Sequence, residues 1–176
     1  AELEKKILEI GPANIMCFIA EPVLGSGGVV VPPEDYNRRT WEVVKRYGIT
    51  YIADEVVTGF GRLGHWFVSE HLYGIKPDII TFAKGVTSGY LPLGGFAVSD
   101  AFMSQISHEN ADDNLFSTGY TWSANPICCA AALASWDILE REGILDHVKD
   151  VGPYFQSRLR ELEEHELVKE VRGIGL

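Results

Sequence analysis

The sequence predicts an α/β fold, in which a mostly parallel sheet has helices on both faces. Apolar runs of strand length alternate along the chain with segments of helical periodicity, and this order is typical of βαβ units. The length of 176 residues and a hydrophobic share of 46% are sufficient for one core of ordinary size. We therefore expect a globular protein built on a parallel sheet.

The first half of the chain predicts two helices and two strands. The polar stretch AELEKKILEI is helix-like, and the apolar run IMCFIA (15–20) has the length of a strand. The stretch PPED (32–35) indicates a helix start, after which apolar residues recur at helical spacing until Gly48. The run ITYIA (49–53) then predicts the second strand.

The second half predicts three further strands and several helices. The strands are DIITFA (78–83), GGFAVS (94–99) and a final strand that begins with LVKEVR (167–172). The predicted helices are a short one within WFVSEHLYG and longer ones at 100–107, from about Asn125 to Gly143, and from Asp146 to about His165. The polar stretch ENADDN (109–114) predicts a loop.

Composition excludes several classes of partner. A formal charge of −10 with scattered basic residues argues against binding to nucleic acid or to an anionic membrane surface. No apolar run approaches the roughly 18 residues of a membrane span, and no secretory leader is visible at Ala1, so we expect a cytoplasmic protein. The cysteines and histidines form neither a disulfide framework nor a zinc motif, and we expect no metal.

Ionisable residues stand at the ends of three predicted strands. Glu21, Asp54 and Lys84 each follow an apolar run directly. Because ligands of open α/β sheets bind beyond the carboxyl ends of the strands, we expect Asp54 and Lys84 to face one crevice from neighbouring strands. Burial of an unpaired carboxylate is costly, so the adjacent acids Asp54 and Glu55 predict a cation at this strand end.

Each of these residues also has a purely structural explanation. Two further functions, phosphoryl transfer and dinucleotide binding, are also consistent with part of the pattern. A lysine after a strand often extends to water, and an Asp-Glu pair often forms a turn or a helix cap. A strand followed by acids resembles a magnesium-binding carboxylate of phosphoryl transfer, but the required GxxxxGK[ST] loop is absent. The stretch GFGRLG (59–64) matches a dinucleotide-binding GxGxxG, yet it does not begin at a strand end.

The third chemistry is that of pyridoxal phosphate, which is held by a lysine while a carboxylate keeps its pyridine nitrogen protonated. Lys84 lies among Phe82, Ala83 and a glycine-rich segment, where partial desolvation would favour the neutral amine that attacks a carbonyl. Asp54 would then be the partner of the ring nitrogen. On this hypothesis the expected cation is a pyridinium.

Four ordered motifs carry a specific resemblance. They are EPVLGSGGVVVPP, IADEVVTGFGR, PDIITFAKGVTSGYLPLGG and GYTWSANPICCAAAL, and together they resemble the class III pyridoxal-phosphate aminotransferases of fold type I from about Ile15 to the last residue. The resemblance covers nearly all of this chain but well under half of a family member. It implies the central part of a large domain with a seven-stranded, mostly parallel sheet at residues 1–150, and the start of a small carboxyl-terminal domain at residues 151–176. Since both ends of the chain look interrupted, we expect a segment of a longer protein.

The resemblance implies a role for each matching residue. Lys84 corresponds to the lysine that forms the Schiff base and moves the proton of the substrate's Cα. Asp54 corresponds to the acid on the ring nitrogen, and Val56 to the aliphatic residue beneath the ring. Thr121 corresponds to a threonine that reaches the cofactor phosphate of the other subunit, with Tyr120 beside it, which implies a homodimer with a shared active site.

Other motif positions imply narrower roles. Glu21 of the EPV motif corresponds to a glutamate that lines the pocket. Relatives that act on acetylornithine, ornithine or 4-aminobutyrate tend to have glutamine three residues after the ring aspartate, whereas this chain has Val57. The sequence therefore resembles the branch that transfers an amino group from an ω-amino acid or amine to a keto acid such as pyruvate, by a ping-pong mechanism.

Alternatives remain open at this point. A pyridoxal-phosphate aminomutase or decarboxylase would share the lysine and the aspartate, and a nucleotide-binding α/β domain would use the glycine motif instead. Structural roles are expected for several other residues of the motifs: Arg62, glycines 59, 61 and 64, Cys128, Cys129, Trp41, Trp66 and Trp136, of which Trp66 is also a candidate for the pocket border. The family's phosphate loop, ring-stacking aromatic and carboxylate-binding arginine match nothing in the chain, so we expect these 176 residues alone to be inactive.

Overall fold

A computed structural model describes residues 2–106 and 119–176 of the chain. The strands are β1 (Cys17–Ala20), β2 (Thr50–Asp54), β3 (Ile79–Phe82) and β4 (Gly95–Val98). The helices are α1 (Glu2–Ile10), α2 (Tyr36–Arg46), α3 (Val68–His71), α4 (Asp100–Ile106), α5 (Pro126–Arg141) and α6 (Ile144–Arg160). Short 3₁₀ helices occupy Pro12–Asn14, Lys84–Thr87 and Glu161–Glu164.

The four strands form one sheet in the order β1-β2-β3-β4. β1, β2 and β3 are parallel, and β4 runs antiparallel to β3. Because helix α2 connects β1 to β2, these two strands form a βαβ unit. The mostly parallel sheet with flanking helices is therefore confirmed, with four strands among the residues that the structure describes.

The predicted elements are found, with one exception near the carboxyl end. All four earlier strands begin and end within two residues of their predicted bounds, and the helix predicted from Asp146 instead begins at Ile144. The final strand predicted from residue 167 is wrong, because the segment 168–176 has no strand neighbour among the described residues. Isolated hydrogen bonds hold that segment in place of a continuous strand pairing, and one of them runs from Leu176 N to Arg62 O at 3.1 Å. The loop predicted at 109–114 lies outside the described residues.

The core forms on the sheet face that helices α1 and α2 cover. Tyr51 and Ala53 point into it from β2, where they meet Val44 of α2 and Ile7 of α1. Burial in β2 alternates from residue to residue, as expected for a strand with two different faces. Asp54 therefore ends β2 on the side opposite to Ala53, away from this core.

Asp78 fixes the start of β3 beside β2. Its carboxylate accepts a hydrogen bond from the backbone N–H of Tyr51 at 2.8 Å and forms an ion pair with Lys45 of α2 at 2.7 Å. The Asp78 side chain is largely buried in this contact, so the bonds are shielded from water and stronger than exposed ones. The alignment of β3 with β2 follows, and with it the position of every residue after β3.

The described residues contain no helix that is both long and apolar enough to cross a membrane. Within the same ranges, histidine, cysteine and acidic side chains form no group that is suited to a metal ion.

Candidate functional site

The carboxyl ends of β2 and β3 bring Asp54 and Lys84 to the same edge of the sheet. Asp54 is the last residue of β2 and pairs with Thr81 of the parallel strand β3. Lys84 follows Thr81 by three residues and begins the 3₁₀ helix just after β3. Since neighbouring strands lie about 4.8 Å apart, the end of β2 at Asp54 and the turn of Lys84 are adjacent. The sequence predicts that both side chains face one crevice; the structure places them at neighbouring strand ends, but Lys84 does not line the cavity that Asp54 borders.

Asp54 presents a carboxylate that the protein itself satisfies only in part. Its Oδ1 accepts a hydrogen bond from the backbone N–H of Val56 at 3.1 Å. Among the described residues the carboxylate accepts no other hydrogen bond, and the side chain is half-buried. A half-buried carboxylate with free acceptor positions is suited to a cationic or N–H ligand.

Glu21 lies at the same cavity as Asp54. The cavity has a volume of about 510 Å³ and is lined by residues at the ends of β1 and β2, together with Tyr36 and Asn37 of α2. The Glu21 Oε2 accepts a hydrogen bond from Gly25 N at 2.9 Å, which holds the following turn against the strand end. A Cβ on Gly25 would lie 3.2 Å from Val57 Cγ2, so Val57 packs closely against the turn that carries Glu21.

The second acid of the pair, Glu55, has a different environment from Asp54. Its side chain is fully buried. The carboxylate accepts hydrogen bonds from Ser69 N at 2.9 Å, Ser69 Oγ at 2.5 Å, Val68 N at 2.8 Å and Thr58 Oγ1 at 3.1 Å. The prediction of a cation is therefore wrong for Glu55, because neutral donors satisfy it. These bonds close the loop 55–69 and anchor the start of helix α3.

Lys84 begins a turn whose backbone is strained and whose next side chains are buried. Its φ is +37°, in a region that costs a non-glycine residue roughly 1–2 kcal/mol. Val86 and Thr87 are each 1% exposed, whereas Lys84 itself is exposed. The described residues do not desolvate Lys84 as the sequence predicts. Val86 and Thr87 point into the protein, and the lysine side chain stays at the surface. Within those residues Lys84 forms no ion pair.

The glycine motif GFGRLG forms a loop that packs against the Lys84 turn. Phe60 N donates to Trp66 O at 2.7 Å and Gly61 N donates to His65 O at 2.9 Å, which folds the loop back on itself. A Cβ on Gly85 would lie 2.9 Å from the Cβ of Phe60, so only glycine permits this approach. No helix begins at the motif, since α3 begins at Val68. The loop therefore lacks the helix start that dinucleotide binding requires.

An aromatic cluster surrounds Phe60. The ring of Phe60 stacks on Trp136 of α5 with the ring centroids 5.7 Å apart, and it meets Trp66, Phe67 and Phe82 edge-on. Trp66 and Trp136 also line a cavity of about 680 Å³. That cavity is distinct from the one lined by Asp54, so Trp66 does not border the latter.

The Phe60 loop also contains a histidine with an altered pKa. Burial lowers the pKa of His65, and the neighbouring cation Lys149 and the stacked ring of His71 act in the same direction.

Tyr120 and Thr121 lie in an exposed turn that precedes helix α5. Tyr120 is 82% exposed, and its N–H donates to Ser123 Oγ at 3.1 Å. Asn125 caps the helix, because its Oδ1 accepts a hydrogen bond from Ile127 N at 3.0 Å. Neither Tyr120 nor Thr121 lines the cavity with Asp54 and Glu21. The structure thus brings Asp54, Glu21 and Lys84 to one sheet edge, with the 120–121 turn apart from that cavity.

Two contacts of the site have no signal in the sequence. Trp136 Nε1 donates to the carbonyl of Val86 at 3.0 Å, and the hydroxyls of Ser88 and Ser135 lie 2.5 Å apart. Each joins residues about fifty positions apart along the chain. In the sequence Trp136 is one apolar position on a helix, and only the packing of α5 reveals the bond.

Comparison with known proteins gives consistent similarities. A family model described as aminotransferase class III matches residues 1–176. A putrescine–pyruvate aminotransferase of Pseudomonas aeruginosa is 46% identical over 176 residues, which cover 99% of this chain and 38% of the relative. The chain therefore spans about two fifths of that relative's length.

Solved structures show the same similarity in three dimensions. An (S)-enantioselective ω-transaminase from Thermomicrobium roseum superposes with a TM-score of 0.91 at 47% identity, over 99% of this chain and 38% of the other. An amine transaminase from an uncultivated Pseudomonas species, solved in its pyridoxal-phosphate-bound form, gives a TM-score of 0.92 at 45% identity, over 99% of this chain and 39% of the other.

Proposed function

The chain belongs to the class III aminotransferase family, and on that premise we propose that the complete protein transfers an amino group from an ω-amino acid or amine to a keto acid such as pyruvate, with pyridoxal phosphate as cofactor. The observation that carries the proposal is the parallel pairing of β2 with β3, in which Asp54 lies opposite Thr81 and Lys84 follows three residues later. This pairing sets a carboxylate and a primary amine at adjacent strand ends, where ligands of open α/β sheets bind.

The described residues fit pyridoxal phosphate in two respects. Asp54 has acceptor positions that no described residue occupies, so it can accept a hydrogen bond from a protonated ring nitrogen. Lys84 is exposed at the neighbouring strand end and its amine has no ion-pair partner within the described ranges, so it can bond to an aldehyde. Val56, whose N–H contacts Asp54, would pack beneath the ring, and Glu21 would line the pocket beside it.

Each residue of the site would have a separate task in the reaction. When bound, pyridoxal phosphate supplies the aldehyde that takes the amino group from the donor and passes it to the acceptor, so that the two substrates react in turn in a ping-pong order. Lys84 would hold the cofactor covalently and move the proton of the donor's Cα. Asp54 would keep the positive charge on the ring nitrogen, since a nearby carboxylate favours the protonated form.

The donor class in this proposal rests on position 57. Val57 packs against the turn that follows Glu21, so an apolar side chain occupies the position where glutamine is expected in relatives specific for acetylornithine, ornithine or 4-aminobutyrate. Among the similar proteins, the name of a putrescine–pyruvate aminotransferase supports these donor and acceptor classes, and that of an ω-transaminase supports the donor class.

The proposal is tested by product analysis on the complete protein loaded with pyridoxal phosphate. We expect pyruvate and a terminal amine such as putrescine to give alanine and the donor's carbonyl product in equal amounts, without release of carbon dioxide. With acetylornithine as donor the rate should be lower. Carbon dioxide release, or movement of the amino group within one substrate without an acceptor, would contradict the proposal in favour of a decarboxylase or an aminomutase.

The division of the chain into domains is a further part of the proposal. We assign residues 1–150 to the large domain and residues 151–176 to the start of a small one. Helix α6 (Ile144–Arg160) continues across that position, so the two domains would share a helix at their boundary.

We also propose that the protein is a homodimer whose active sites contain residues of both subunits. Tyr120 and Thr121 are exposed and lie apart from the cavity of Asp54, which supports a role for this turn in the site of a second copy. Trp122 in the same turn is 79% exposed, and an exposed tryptophan favours a protein contact. The Thr121 hydroxyl would donate a hydrogen bond to the cofactor phosphate of the partner subunit.

A complementation experiment tests the shared site. Lys84→Ala and Thr121→Ala proteins would be mixed, unfolded and refolded together. A shared site gives mixed dimers in which one site carries both changes and the other carries neither, so we expect activity to rise above that of either variant, up to about a quarter of the normal value for random pairing. If Thr121 serves its own subunit, each site keeps one change and activity does not rise.

A further inference from the structure

Lys84 has a left-handed backbone, and the turn that it begins must be held in that conformation by its surroundings. Within the turn, Gly89 N donates to Lys84 O at 3.3 Å and Ser88 N donates to Gly85 O at 2.9 Å. These local bonds do not connect the turn to the rest of the molecule. A strained conformation persists only where neighbouring structure fixes it, which directs attention to the helix packed against the turn.

Helix α5 contacts this turn through two side-chain hydrogen bonds. The indole Nε1 of Trp136 donates to the carbonyl of Val86 at 3.0 Å, and the hydroxyl of Ser135 lies 2.5 Å from that of Ser88. Ser135 is buried and Ser88 is exposed, so their hydrogen bond is shielded from water on the side of α5. Bonds of this kind are stronger in a buried setting, and loss of one partner leaves the other unsatisfied.

The bonds reach the turn at two separate points. Val86 and Ser88 are two and four residues after Lys84, and a contact at each restricts both translation and rotation of the turn. Gly85 of the turn packs against Phe60, whose ring stacks on Trp136. Trp136 therefore supports the turn directly through its N–H and indirectly through Phe60.

We propose that Trp136 and Ser135 are positioning residues that hold the Lys84 turn in its strained, cofactor-ready conformation. The proposal rests on the proposed function for the role of Lys84, but the tethering itself is a property of the polypeptide. Loss of either bond would let the turn relax and would lower the fraction of molecules in which the amine is correctly placed. The substrate-contacting residues would not change, so the effect would appear in kcat rather than in KM.

The chain offers a matched control for Trp136. Trp41 Nε1 donates to the carbonyl of Lys76 at 3.1 Å, at the opposite end of strand β3. Trp136→Phe and Trp41→Phe thus remove the same type of bond and keep an aromatic ring in place. Ser135→Ala removes only a hydroxyl and serves as a second variant if Trp136→Phe does not fold.

Amide hydrogen exchange of the complete apoprotein gives a readout that is independent of the cofactor. In Trp136→Phe and in Ser135→Ala we expect amides 86–90 to exchange about 2- to 10-fold faster than in the unchanged protein, the range that corresponds to loss of one hydrogen bond. In Trp41→Phe these amides should exchange at the normal rate. Equal rates at 86–90 in all the proteins would overturn the proposal.

Kinetics of the loaded protein add a second readout. In Trp136→Phe we expect kcat to fall by about 2- to 10-fold, with KM for the amine donor within twofold of normal. A rise in KM at constant kcat would overturn the positioning role, because it would indicate a substrate contact. Absence of a covalent bond between Lys84 and pyridoxal phosphate in the unchanged protein would refute the proposed function, and the exchange result would still decide whether α5 holds the turn.

Discussion

Lys84→Ala in the complete protein is expected to abolish amino transfer and covalent cofactor attachment together. The side chain is the only amine at the end of β3 within the described residues, and proton transfer by such a group contributes about 10²–10⁴-fold to a rate. Loss of the covalent bond adds to that effect. The measurement is turnover with pyruvate and a terminal amine, combined with borohydride reduction and peptide mass analysis for cofactor bound at residue 84.

Lys76→Ala provides the control for this change. Lys76 precedes β3 as Lys84 follows it, and its amine is exposed in a long ion pair with Glu70 at 3.4 Å. Such a surface pair contributes little to stability, so we expect normal turnover and normal cofactor attachment. If Lys84→Ala remains active and binds the cofactor covalently, the assignment of Lys84 fails, whatever the fold.

The fold could be predicted from local patterns because the elements that form it have strong ones. Runs such as ITYIA and DIITFA are short, apolar and bounded by breakers, and both are strands of the sheet. The run LVKEVR has the same local pattern, but among the described residues it has no neighbouring strand. Strand formation requires a partner for the backbone hydrogen bonds, and a local pattern does not reveal whether one is present.

The site could be predicted only in part, for a related reason. Asp54 and Lys84 stand directly after predicted strands, so a parallel sheet was sufficient to place them together. Glu55 looks equivalent to Asp54 in the sequence, yet its partners Val68 and Ser69 are thirteen and fourteen residues away, at the start of helix α3 beyond an irregular loop. The burial of Glu55, like the bond from Trp136 to Val86, depends on tertiary packing that neither spacing nor residue type encodes.

Of these two acids, only Asp54 has free acceptor positions for a ligand, so we expect its substitution to have the second large effect on turnover. Asp54→Asn keeps the size of the side chain and an oxygen that can accept the N–H of Val56, but it removes the negative charge. A carboxylate next to a ring nitrogen favours its protonated form by about 10- to 1000-fold. We therefore expect kcat to fall by about 10- to 1000-fold, and the measurement is single-turnover reaction of the loaded protein with the amine donor.

Cofactor attachment separates this effect from that of Lys84→Ala. Because Asp54→Asn leaves the amine of Lys84 intact, peptide mass analysis after borohydride should still find the cofactor on residue 84. Asp146→Asn is the control, since Asp146 is an exposed acid whose pair with Lys149 lies on α6, away from the cavity of Asp54. Normal kcat in Asp54→Asn would show that the charge at the end of β2 does not act on the cofactor. If Asp54→Asn reacts slowly but still carries the cofactor on Lys84, the Asp54 carboxylate acts on the cofactor ring in the reaction and is not needed for covalent attachment.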